Sequence, residues 1–204
     1  MGSAAAPGRR RSARTAVVAA ALAALAGCAS SAQDPAVAAS AAVDPAPVVL
    51  TTPVLTPDQP VPTPQDPPVL RITGRIGTTN GAGDALSLDP ATLDQLGRLR
   101  VTVYEPWVKQ TLDFQGVWLA DLLRLARADP AASSVHITAL DDYQVDLPLS
   151  EIMAGGVLLA TRDGAGQPIR IEDGGPTRIV FTGGVPSGVS PDQWIWSLST
   201  IDVR

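Results

Sequence analysis

The chain has 204 residues, a formal net charge of −5, one cysteine and one histidine. Its acidity argues against nucleic acid, whose phosphates call for a basic face. A single cysteine, Cys28, permits no intramolecular disulfide. Together with His136 it cannot supply the usual zinc cage, and lying outside the globular part it forms no Cys–His nucleophile pair.

Residues 1–27 read as an export signal. Arg9, Arg10, Arg11 and Arg14 form a positive start, and Thr15 to Ala26 is an apolar run too short to span a bilayer comfortably. The run ends in Leu25-Ala26-Gly27-Cys28, which resembles the lipobox of bacterial lipoproteins. That resemblance implies cleavage before Cys28 and lipid attachment to it. The protein would then be exported and anchored to the membrane at the periplasmic or extracellular face of the envelope. Ala29 after the cysteine resembles outer-membrane sorting where an outer membrane exists.

Residues 28–68 read as the lipidated cysteine and a tether. Ten prolines, from Pro35 to Pro68, are scattered among Ala, Val, Thr and Asp, with no aromatic residue. Such a composition favours extended polyproline II over a packed core. At about 3.1 Å per residue the tether would reach on the order of 100 Å.

The globular domain is expected over residues 69–204. Val69 to Ile76 alternates as a strand, Thr78 to Asp84 is a turn, and Asp89-Pro90 fits the N-cap and first position of a short helix to Leu96. Arg100 to Glu105 alternates with Val101 and Val103 on one face, and Pro106 ends the strand. Thr111 to Phe114 predicts a short strand closed by a tight turn at Gly116. Leu119, Leu122, Leu123 and Ala126 then mark the buried face of a helix from Trp118 to Arg127. Ser134 to Leu140 and Tyr143 to Leu147 predict a hairpin turning at Asp141-Asp142, with Val135, Ile137 and Ala139 inward and His136 outward. Pro148 to Glu151 starts a helical turn that Gly155-Gly156 stops. Val157 to Ala160, Thr177 to Phe181 and Trp194 to Val203 read as strands, with a Gly-, Pro- and Ser-rich loop over Thr182 to Gln193. The class is α+β, a β-rich mixed sheet with short helices.

Five segments in order resemble the sulfite-oxidase-type molybdopterin-binding domain. They are Phe114-Gln115-Gly116-Val117 with Leu119, Asp121, Leu122 and Leu123; Ala139 to Tyr143 with Leu147-Pro148-Leu149; Leu158-Leu159-Ala160 with Gly166 to Ile169; Gly175 to Val180; and Trp194-Ile195-Trp196 with Ile201. The resemblance covers Val69 to Arg204 and implies the fold of that family. Its catalytic members hold molybdenum through a cysteine two residues before a Glu-x-Trp corner. Here the corner is Glu105-Pro106-Trp107, so that position is Val103, which offers no ligand to a metal that relies on a soft thiolate. The chain therefore resembles the short, cysteine-less branch, and no molybdenum is expected.

A pterin or molybdopterin-like ligand asks for an aromatic plate and polar groups at its edge. Besides Val103, the candidates are Trp107 as plate, Asp142 as acceptor for ring N–H groups, Tyr143 as pocket wall, Arg178 as a planar fork, and Trp194 at the end of the loop. Each has a plainer role open to it: packing for Trp107, Tyr143 and Trp194, a turn for Asp142, and an ion pair with Glu172 or Asp173 for Arg178. The expected function is a lipid-anchored pterin-binding protein that senses or regulates a partner, such as a membrane sensor or an oxidoreductase, without catalysis. The alternative is a subunit of a molybdopterin-dependent oxidoreductase.

Overall fold

The computed structural model describes residues 44–204 except 82, 187, 191 and 192. Cys28, the expected export signal and the first part of the expected tether lie outside the described residues.

Among the described residues, ten strands form two five-stranded sheets. The first sheet is antiparallel throughout. It orders β1 (Val48–Thr51), β4 (Arg98–Glu105), β5 (Gln110–Trp118), β8 (Val157–Asp163) and β9 (Arg178–Phe181). The second orders β3 (Leu86–Leu88), β2 (Leu70–Gly74), β10 (Leu198–Val203), β6 (Ser134–Ala139) and β7 (Gln144–Pro148), and is mixed because β10 runs parallel to β2. Short helices α1 (Pro90–Asp94), α2 (Leu119–Leu125) and α3 (Leu149–Ala154) complete it. This is the expected β-rich α+β architecture.

Local patterning explains most elements. In β4 the odd positions are buried from Leu99 to Glu105, and in β6 Val135, Ile137 and Ala139 are buried as the alternation predicts. Helix α2 buries Leu119, Ala120, Leu122, Leu123 and Leu125. It contacts β5 and β8 of the first sheet and also α3, which lies on β6 and β7 of the second. The two sheets thus share one apolar core. Asp89 caps α1 as expected, its carboxylate accepting from the Thr92 amide at 2.8 Å.

Two expectations need correction. Gly116 makes no tight turn. It lies within β5 at a register shift against β8, where a Cβ would sit 2.0 Å from the Leu159 carbonyl oxygen. The glycine is there for close backbone approach, and the strand runs on to Trp118.

The second correction concerns residues 28–68, since from residue 44 onward the segment is part of the domain. β1 pairs with β4, and Leu55 and Val61 are buried in the core. Backbone and side chains clamp the rest. The Val54 and Leu55 amides donate to the Gln95 carbonyl at 2.9 and 3.0 Å. Asn80 Nδ2 donates to the Pro62 carbonyl at 2.8 Å, and the Gln65 backbone amide donates to Asp89 Oδ2 at 3.0 Å. Proline-rich chain orders readily when partners accept its extended form, because proline has little backbone freedom to lose.

Candidate functional site

The strand alternation that buries Val101 and Val103 also carries Glu105 inward, to 0% exposure. A buried carboxylate needs partners, and two meet it. Arg178, at the start of β9, donates from Nη2 to Glu105 Oε1 at 2.9 Å. The Val108 amide donates to Oε2 at 2.6 Å. The pair therefore fixes the turn Pro106–Lys109 that presents Trp107.

Arg178 is held on all sides. Its side chain is 5% exposed, and its guanidinium lies 4.9 Å from the Phe114 ring centre and 4.6 Å from that of Trp196. Nη1 reaches the Asp173 carbonyl at 3.5 Å. Burial pushes the guanidinium below the ordinary arginine range, and the Glu105 carboxylate opposes the shift. The ion pair of Arg178 is thus with Glu105, not with Glu172 or Asp173, which both pair with Arg170 at 3.0 and 2.7 Å. Trp196 is seated against Gly174, whose absent Cβ would lie 3.0 Å from the indole. The Ser197 amide donates to the Gly174 carbonyl at 2.9 Å.

Two cavities share Trp196. The first, about 490 Å³, is lined by Trp107, Asp141, Tyr143, Trp194 and Trp196. The second, about 770 Å³, has Leu112, Phe114, Ile169, Arg178 and Trp196 among its walls and four carboxylates around it. Neighbouring residues Trp107 and Val108 line one each, so the turn after Glu105 stands between them.

The structure therefore brings Trp107, Tyr143 and Trp194 together in one cavity and places Arg178 in the other. Trp107 is 53% exposed, so it is not a core residue. Trp194 is buried, in an edge-to-face arrangement with Phe181 at 5.8 Å, and lines the cavity. Its Nε1 finds no partner among the described residues. Asp142 sits at φ 66°, the left-handed conformation that Asp tolerates in turns, and lines neither cavity. Its neighbour Asp141 lines the aromatic one, with Oδ1 accepting from the Tyr143 amide at 3.1 Å. Val103 is 1% exposed in the core and lines neither cavity. His136 pairs with Asp146 across the β6–β7 hairpin at 2.9 Å, away from both.

Three participants escaped the sequence reading. Glu105 had a signal, since it continues the inward phase of Val101 and Val103. Trp196 had a weaker one, lying two residues from Trp194. Nothing in the sequence distinguishes Asp141 from Asp142; only the backbone conformation does.

The family model for the oxidoreductase molybdopterin binding domain matches residues 94–203. No curated protein matches the sequence. Among solved structures, the chain is similar to the sulfane dehydrogenase SoxCD from Paracoccus pantotrophus, with a TM-score of 0.51 and 18% identity. That match covers 66% of this chain and 37% of the SoxCD chain, so the likeness is one of fold.

Proposed function

Because the chain belongs to the oxidoreductase molybdopterin binding domain family, we propose that it binds a pterin in the aromatic cavity and does no redox chemistry of its own. The observation that carries this is the grouping of three tryptophans, Tyr143 and Asp141 around about 490 Å³. Indole and phenol faces suit a flat heterocycle, and a carboxylate accepts from the amino and ring N–H groups along a pterin edge.

A molybdenum centre held by a protein thiolate does not fit these residues. At the position where the resemblance puts the ligand cysteine stands Val103, which has no donor atom and is packed in the core. The chain's one cysteine, Cys28, lies sixteen positions before Asp44, the first described residue. The reading therefore favours a binding protein that senses the pterin or passes it to a partner, held at the envelope through a lipid on Cys28.

The test is native mass spectrometry and elemental analysis of protein recovered from its own cells. A pterin-sized adduct without stoichiometric molybdenum supports the proposal. About one molybdenum per chain sinks it in favour of an oxidoreductase subunit. Fractionation of a Cys28→Ser variant tests the anchor: the variant should leave the membrane, since a lipid is the proposed attachment, and retention after washing would contradict it.

A further inference from the structure

We propose that the 770 Å³ cleft beside the aromatic cavity selects the pterin by its side chain, accepting a hydroxylated or amino group and rejecting a phosphorylated one. This rests on the pterin reading and adds the ligand class. Both cavities are lined by Trp196, and the proposal places the substituent of a heterocycle seated in the aromatic one on the cleft side of that ring.

The cleft's charges argue against an anion. Asp113, Asp163, Glu172 and Asp173 line it, against only Arg170 and Arg178. Both guanidiniums already pair with the protein's own carboxylates, and the lining carries two more negative than positive charges. Arg170 is held by both Glu172 and Asp173. Arg178 is engaged by Glu105 and covered by Phe114 and Trp196, and its unpaired Nε is buried out of reach. Arg162, on the neighbouring strand β8, is tied to Asp94 at 2.6 Å.

Asp113 and Asp163 make hydrogen bonds with the Thr102 hydroxyl and the Gln167 amide. Among the described residues neither has a cationic partner. A phosphate dianion entering here would meet unbalanced negative charge. A hydroxyl or ammonium group would instead find several acceptors above an apolar floor.

Calorimetric titration of the purified full chain with neopterin and with neopterin monophosphate, at low ionic strength, tests this. Neopterin should bind about 10-fold tighter or more, and the ratio should shrink as salt screens the carboxylates. An Asp113→Asn, Asp163→Asn double variant removes both charges, keeps one acceptor oxygen at each position and should narrow the ratio about threefold or more. The salt series on unaltered protein gives the same information should the variant fold poorly. Monophosphate binding as tight as neopterin, or a ratio indifferent to salt, overturns the selectivity and leaves the pterin reading standing. Failure of both ligands to bind overturns both.

Discussion

Glu105 and Arg178, 73 residues apart, form a buried ion pair at 2.9 Å that joins the end of β4 to the start of β9. The Val108 amide also donates to Glu105, and the Phe114 and Trp196 rings lie against the Arg178 guanidinium, whose Nε has no partner among the described residues. Its role is positional: it sets the turn that presents Trp107 and the plane on which Trp196 rests.

Glu105→Gln should therefore be costly. Removing one charge of a buried pair leaves the other uncompensated, at about 3–5 kcal/mol. The denaturant midpoint of the variant should fall accordingly. A loss below about 1 kcal/mol would show that the pair contributes little to the fold.

Asp89 makes stability depend on acid. Burial raises its pKa, but hydrogen bonds from the Thr92 side chain and from the Thr92, Asp66 and Gln65 amides outweigh it and lower the value from 3.8 to about 2. A carboxyl depressed in the folded state stabilises above its unfolded value, and that contribution is lost as pH falls from about 4 towards 2. Its size at neutral pH is on the order of 2 kcal/mol. Asp89→Asn should lower stability at pH 7 and flatten the acid limb, as measured by urea unfolding across that range. An unchanged acid limb would assign the dependence to other carboxyls.

The proline-rich segment should be required for full stability. A chain starting at Val69 loses β1 and the buried Leu55 and Val61. Burial of two such side chains contributes about 3 kcal/mol or more. That chain should unfold at a distinctly lower denaturant concentration than one starting at Asp44. Equal midpoints would mean the segment is held by the domain without supporting it.

Where local pattern and tertiary role agree, the fold was legible in the sequence. The alternation of β4 and β6, the Asp89-Pro90 cap and the buried face of α2 needed only periodicity and capping chemistry. The segment from β1 to Gln65 was not legible, because its order comes from partners at Leu99, Gln95, Asn80 and Asp89 rather than from its own composition. Gly116 misled for a similar reason, its neighbour at Leu159 lying on another strand. At the site, Trp107, Tyr143 and Trp194 could be chosen as aromatic residues at element ends. Their convergence with Asp141 and Trp196 depends on the hairpin turn and on the seat at Gly174, which no local pattern encodes.

The central claim is that the Trp107 side of the aromatic cavity holds a pterin. The most direct test is neopterin titration of the chain and its Trp107→Ala variant, with unfolding midpoints on the same preparations. Trp107 is 53% exposed, so truncation should cost less than about 1 kcal/mol of stability. Loss of stacking and burial should weaken binding by roughly tenfold to a hundredfold. Unchanged affinity in a variant that remains folded would contradict the account and place the ligand elsewhere.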